Sequence, residues 1–129
     1  MEAKKVYPDW EEGYGPCDYT PIMEALGEVV AAVESNDYQG DTLALLKSPE
    51  GKYGVLQFGW GSCSGCDALQ ACYTWAELQE LCDHLEQSVQ WLDTLEEAKA
   101  WVEAHDWEGA YFDTADAHIF RDKVRGLEE

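Results

Sequence analysis

The chain has 129 residues, of which 27 are acidic and eight are basic, so its formal net charge is −19. This length is typical of one domain. The hydrophobic content of 46%, with six tryptophans, is enough for a packed core and excludes a disordered acidic tail. No run approaches the ~18 apolar residues that a membrane span needs. The first residues lack the apolar stretch of a secretory signal, so we expect a cytoplasmic protein with reduced thiols.

The basic residues are unevenly distributed along the chain. No Lys or Arg lies between Lys5 and Lys47, and none lies between Lys52 and Lys99. Two long segments therefore carry negative charge only. A field of this sign repels nucleic acids and membrane surfaces and attracts basic partners. It is equally compatible with a protein whose acidic surface serves only solubility.

Residues 1–19 are predicted to be irregular, because prolines and glycines interrupt them. Three aromatic residues could anchor this segment to the body of the protein: Trp10, Tyr14 and Tyr19. Thr20 and Pro21 then suit the N-cap and first position of a helix. Apolar residues follow at helical spacing and predict one helix that continues to residue 33: Ile22, Leu26, Val29, Val30 and Val33.

A β-hairpin is predicted next. Residues 42–46 and 53–60 favour strands, and the Ser-Pro-Glu-Gly sequence at 48–51 favours a tight turn between them. Three side chains of the second strand alternate onto one face: Leu56, Phe58 and Trp60.

Two capping boxes predict helices in the second half, because Thr74 is followed by Glu77 and Thr94 by Glu97. Residues 88–92 alternate between them as a third strand.

The C-terminal part predicts a fourth strand at 109–112 and a last helix that begins at Thr114 and ends at Gly126. The order of elements predicts one α+β domain over residues 1–129, with a small antiparallel or mixed sheet of three to four strands packed with three to four helices.

The most distinctive segment is 59–72, which holds three of the five cysteines. Cys63 and Cys66 have the two-residue spacing of a zinc knuckle. Cys72 lies about one and a half turns into a short helix opened by Asp67 and is a candidate third ligand. Cys17 is our first candidate for the fourth ligand, followed by Asp67 and then by a histidine. Because no Glu or His beside the loop offers a general base, we expect a structural zinc ion rather than a catalytic one.

Two other interpretations of this segment remain open. Cys63 and Cys66 stand between a strand and a helix, which is also the setting of a thiol–disulfide oxidoreductase. All four prolines lie at or before Pro49, however, so none is placed to supply the cis-proline of a thioredoxin-type site. Alternatively, the cysteines simply pack in a tight turn. Cys82 shares the apolar face of the helix that Thr74 caps and is predicted to lie in the core.

No catalytic motif is evident, so we do not expect an enzyme. The chain has no phosphate loop, dinucleotide fingerprint or Gly-x-Ser-x-Gly elbow. Its three histidines are expected to serve structure rather than bind a ligand: His84, His105 and His118.

The run Gly-Ser-Cys-Ser-Gly-Cys-Asp-Ala-Leu-Gln at 61–70 resembles a motif of small acidic phage and prophage proteins, and the stretch 90–98 is similar to them too. This resemblance implies a phage accessory protein with a counter-defence role, such as a zinc-containing anti-CRISPR inhibitor of Cas9. The acids expected to face the basic partner lie on a helix without a basic residue of its own: Glu77, Glu80, Asp83 and Glu86. The alternative functions are a zinc-stapled interaction module without inhibitory role and a thiol–disulfide oxidoreductase.

Overall fold

The structure is a computed structural model and describes residues 1–16, 18–34, 40–61, 67–105 and 114–128. These residues form five helices and four strands, in the order α1 (Ala3–Val6), α2 (Thr20–Leu26), β1 (Glu28–Glu34), β2 (Gly40–Lys47), β3 (Tyr53–Trp60), α3 (Trp75–Ser88), β4 (Gln90–Leu92), α4 (Leu95–Ala104) and α5 (Thr114–Arg125). The fold is therefore α+β, as the sequence predicts. No helix within these ranges is long and apolar enough to cross a membrane.

The four strands form one antiparallel sheet in the order β1-β2-β3-β4. The predicted hairpin of β2 and β3 is confirmed, with Lys47 opposite Tyr53 at the turn. The turn closes through a 2.8 Å hydrogen bond from the Ser48 amide to the Lys52 carbonyl. Gly51 takes a left-handed conformation there, with φ of 87°, which glycine adopts without steric cost.

Helices cover both faces of the sheet. Ala44 and Leu46 of β2 pack into one cluster with α1, α2 and α3, whereas Leu43 and Leu45 pack into a second cluster with α4 and α5. The sheet is thus buried on both sides, and this is why β2 has a nearly continuous apolar run instead of an alternating pattern.

The predicted helix through residue 33 is wrong beyond Leu26. The chain turns at Gly27 and continues as the edge strand β1, whose Val33 pairs with Leu43 of β2. A Cβ at position 27 would lie 2.7 Å from the Lys47 carbonyl oxygen, so only glycine allows α2 and the end of β2 to approach this closely. The β-branched valines that follow favour a strand once β2 supplies hydrogen-bond partners.

The other predictions are largely confirmed, with shifts at the ends of elements. Thr20 is the first residue of α2 and not its N-cap, which is Tyr19. The N-terminal segment is not wholly irregular, because it contains the short helix α1. Both predicted N-caps are present: the Glu77 amide donates to Thr74 Oγ1 at 3.2 Å, and the Glu97 amide donates to Thr94 Oγ1 at 3.1 Å. The two glutamate side chains accept from the amides of Tyr73 and Asp93, one residue before each cap. The strand predicted at 109–112 lies outside the described residues.

Candidate functional site

The two ends of the cysteine-containing loop are held together by side chains that follow the loop. Residues 62–66, with Cys63 and Cys66, lie outside the described ranges, but the residues on both sides of them are described. The Gly61 amide donates to Asp67 Oδ2 at 2.8 Å, and Gln70 Nε2 donates to the Gly61 carbonyl at 3.1 Å. Hydrogen bonds therefore satisfy both main-chain polar groups of Gly61. They join the residue before segment 62–66 to the residues that follow it.

Asp67 also organises the turn that follows the loop. Its Oδ1 accepts hydrogen bonds from the amides of Leu69 and Gln70, at 2.9 and 3.1 Å. Residues 68–71 form a turn and not the short helix that the sequence predicts. The carboxylate is only 5% exposed, and it is buried against N–H and O–H donors. This is the usual way in which a protein compensates a buried acceptor.

Tyr19 completes this cluster from the N-terminal part of the chain. Its hydroxyl donates to Asp67 Oδ1 at 2.9 Å and accepts from the Leu69 amide at 3.2 Å. The ring packs on Phe58, with centroids 4.5 Å apart. Burial raises the pKa of the Tyr19 hydroxyl far above its usual range, and the hydrogen bond to Asp67 raises it further, so the hydroxyl remains a donor at neutral pH.

The main chain on both sides of Cys17 lies against this turn. A Cβ at Gly15 would be 2.3 Å from the Gln70 carbonyl oxygen, and on the other side of Cys17, Tyr19 is bonded to Asp67. Cys17 itself lies outside the described residues. The flanks of two cysteine-bearing segments that the sequence groups as one zinc site are thus in contact.

Cys72 and Cys82, the two described cysteines, are buried in the cluster on the α3 side of the sheet. The Cys72 thiol donates to the Ala68 carbonyl at 3.3 Å, and burial raises its pKa. Cys82 is fully buried, as predicted, and burial raises its pKa to about 11. Within the described part of the chain, no cluster of three or more His, Cys, Asp or Glu side chains is suited to hold a metal ion.

A cleft of ≈ 230 Å³ opens beside the loop base, at the end of the sheet. Its walls include Phe58 and Trp60 of β3, and the exposed acids Asp18 and Glu34 stand at it. The Trp60 indole N–H is buried and has no hydrogen-bond partner among the described residues. The cleft is thus an aromatic recess with an acidic border.

The four acids predicted to face a partner are spread along α3, and three of them hold intramolecular contacts. Glu77 Oε1 accepts from the Tyr73 amide at 3.3 Å, and Asp83 Oδ1 accepts from Gln79 Nε2 at 2.9 Å. Glu86 pairs with the amino group of Met1 at 3.0 Å, so this helix has a compensating cation that the sequence pattern does not reveal. Glu80 is exposed.

All eight basic residues contact another part of the chain. Four of them, Lys99, Arg121, Lys123 and Arg125, lie on α4 and α5. The contacts are Lys4 with the Trp75 ring, Lys5 with Glu2, Lys47 with the Tyr53 ring, Lys52 with Asp93, Lys99 with the Leu127 carbonyl, Arg121 with the His105 carbonyl, Lys123 with the Ala32 carbonyl, and Arg125 with Glu103 and Asp122. In contrast, α2 and α3 carry five acidic residues and no basic residue.

Sequence reasoning missed the most highly connected pair of the site. It treats Tyr19 as a general anchor and Asp67 as the residue that opens a helix, and their 48-residue separation hides the hydrogen bond between them. One feature of the sequence could have indicated the role of Asp67. An aspartate that precedes a turn commonly accepts hydrogen bonds from the amides that follow it.

No protein-family model, curated protein or solved structure matches the chain.

Proposed function

We propose that the protein is an acidic interaction protein, not an enzyme, that binds a basic surface of a nucleic-acid enzyme. It inhibits that enzyme by occupying the surface that the nucleic acid would use. A CRISPR nuclease of the Cas9 type is the first candidate partner, because the 61–70 motif resembles that of small acidic phage proteins.

The observation that carries the proposal is the distribution of charge over the fold. The chain's cations are all engaged within the chain, and half of them lie on the α4–α5 side of the sheet. On the opposite side, α2 and α3 carry acids and no Lys or Arg, while the cations near them are Lys4 and Lys5 of α1 and the amino group of Met1. Acids therefore outnumber cations most strongly around α2 and α3, and a field of this sign steers the protein toward a cationic surface and accelerates association.

A capture experiment with purified Cas9 tests this proposal. We expect a complex at about 0.1 M salt that is strongly weakened at about 1 M, because the Debye length falls from about 10 Å to about 3 Å. The absence of a complex at low salt would remove Cas9 as partner. Capture from host lysate would then decide whether another nucleic-acid enzyme binds.

Matched charge reversals locate the interface on the molecule. Glu80→Lys changes an exposed acid of α3, whereas Glu96→Lys changes an exposed acid of α4 on the other side of the sheet. We expect Glu80→Lys to weaken the complex and Glu96→Lys to leave it nearly unchanged. Equal effects of both variants would show that only net charge matters and would contradict an interface on α3.

We further propose that a structural zinc ion is bound by Cys63 and Cys66, with Cys72 and Cys17 as the other ligands. The two-residue spacing supports this proposal, as does the packing of the Cys17 flanks against the turn that leads to Cys72. In the described conformation the Cys72 thiol donates to Ala68. Zinc ligation would therefore require this thiol to lose its proton and leave that carbonyl.

Native mass spectrometry of the purified protein tests the zinc proposal. We expect one zinc ion per chain, its loss in Cys63→Ser, and its retention in Cys82→Ala, because Cys82 lies within the core. A zinc-free protein whose Cys63 and Cys66 are freely alkylated would overturn it. Reduction of an insulin disulfide by this protein would instead favour the oxidoreductase alternative.

A further inference from the structure

We infer that four aromatic residues from two neighbouring segments, residues 10–14 and 73–75, form the surface on which arginine side chains of the basic partner dock. This aromatic patch consists of Trp10, Tyr14, Tyr73 and Trp75. The inference rests on the proposed function, from which it takes the basic character of the partner. It adds which surface of this protein binds and which side chain of the partner is recognised.

The patch is unusually exposed for aromatic residues. Tyr14 is 66% exposed and Tyr73 is 46% exposed. Trp10 and Trp75 are half-buried at the edge of the core and contact each other edge to face, with ring centroids 4.8 Å apart and planes at 83°. Tyrosine and tryptophan are the residue types that most often dominate the binding energy of protein interfaces.

The two segments that carry the patch are joined to each other through polar contacts. The Gly13 amide donates to the Tyr73 carbonyl at 3.0 Å, and the Trp75 amide donates to Glu12 Oε2 at 2.9 Å. The Trp10 indole donates to the Tyr14 carbonyl at 2.6 Å. The main chain of both segments and the two tryptophan rings are therefore positioned before any partner arrives, which lowers the entropic cost of binding.

The charge of the patch suits a cationic ligand. Lys4 already places its ammonium 5.8 Å from the centre of the Trp75 ring, so this surface receives a cation within the chain itself. Glu12 and Glu77 provide carboxylates at the main chain of Trp75 and Tyr73.

Arginine fits this combination better than lysine does. Its planar guanidinium stacks on aromatic rings while it donates hydrogen bonds to carboxylates. A second copy of the chain is a poor occupant, since two bodies of net charge −19 repel each other.

Nuclear magnetic resonance with a model ligand tests the inference independently of any natural partner. The probe is a short peptide of alternating arginine and glycine, compared with a lysine–glycine peptide of equal length and charge. We expect the arginine peptide to shift the indole signals of Trp10 and Trp75 and to bind several-fold more tightly than the lysine peptide. Equal binding by both peptides, with shifts spread over all acidic segments, would overturn it. The inference would also be overturned if self-association of the protein, without any peptide, shifted the signals of the patch.

Variants with matched controls complete the test. The double variant Tyr14→Ala with Tyr73→Ala removes exposed rings and keeps the main-chain bonds, so its melting temperature should stay unchanged. We expect it to bind the arginine peptide at least about tenfold more weakly. Ile119→Ala, which removes an exposed apolar side chain of α5, should bind like the parent.

If Cas9 binds the parent and the double variant equally, the proposed function stands and the patch inference fails. If the arginine peptide binds at the patch but no nucleic-acid enzyme is captured, the patch inference stands and the proposed function fails.

Discussion

The hydroxyl of Tyr19 donates a 2.9 Å hydrogen bond to the carboxylate of Asp67, and both residues are at least nine-tenths buried. The same carboxylate accepts from the Gly61 amide, so one side chain connects the N-terminal segment, the end of β3 and the turn before α3. The cysteine-containing loop between Gly61 and Asp67 is closed by this arrangement. The stability of the loop base should therefore depend on this pair.

We expect Asp67→Asn to lower the free energy of unfolding by about 2–3 kcal/mol, because an amide cannot accept from all four donors. Tyr19→Phe should cost about 1 kcal/mol. Urea unfolding of both variants and of the double variant measures their coupling. Costs that simply add would mean that the hydrogen bond contributes nothing. Asp93→Asn is the control, since Asp93 is exposed and pairs with Lys52 at 3.8 Å, and it should change stability by under about 0.5 kcal/mol.

Gly15→Ala should destabilise the protein by about 1–3 kcal/mol, the usual cost of forcing extra atoms into a packed site. The added methyl group would meet the main chain of Leu69 and Gln70, which cannot move aside as a flexible side chain would. Gly126→Ala is the matched control, because a Cβ there has no neighbour nearer than 3.7 Å. Thermal unfolding compares the two, and an unchanged melting temperature for Gly15→Ala would contradict the close approach.

The two helix caps should contribute equally and independently. Thr74→Ala and Thr94→Ala each remove an acceptor from a first-turn amide and should each cost about 1 kcal/mol. The caps belong to helices on opposite faces of the sheet, so the costs should add in the double variant. Thr74→Ser keeps the oxygen and should recover most of the loss. Failure of the serine variant to recover stability would indicate that the threonine methyl group matters instead.

Stability should fall as the pH rises through the alkaline range. Burial raises the pKa of Cys82 to about 11 in the folded protein, whereas an unfolded cysteine titrates near about 8.5. Folding therefore favours the protonated thiol, and its contribution is complete below about pH 8.5 and is lost as the pH approaches about 11. The buried Tyr7 and Tyr19, whose pKa values burial also raises, act in the same direction above about pH 10.

Urea midpoints measured between about pH 8 and about pH 10 check this expectation, since cysteines titrate before tyrosines there. Cys82→Ala should be less stable at every pH because it leaves a cavity, but its stability should decline less over this range. The same decline in parent and variant would show that Cys82 is not responsible.

Local signals in the sequence were sufficient for the elements whose partners are near in the chain. The β2–β3 hairpin follows from a four-residue turn between two apolar runs, and α3 and α4 follow from Thr74 and Thr94 with a Glu three residues later. In each case the hydrogen bonds that start the element join residues only a few positions apart. The local sequence pattern is therefore sufficient to predict the element.

The residues from Ile22 to Val33 show where this reasoning fails. Their apolar spacing fits one helix, but the structure ends α2 at Leu26 and pairs the valines with β2. Periodicity alone does not reveal that β2 offers an unpaired edge, and the close approach of Gly27 to Lys47 exists only in the folded chain.

By itself, the sequence determined the α+β class, the net charge of −19 and the capped helices, because these depend on composition and on contacts within one turn. Only the tertiary structure decided that Tyr19 meets Asp67, that Trp10 meets Trp75, and that every cation is engaged within the chain. These contacts join residues up to 91 positions apart. Such pairs form when the sheet and its two helical layers bring distant segments together, and no local pattern encodes that distance.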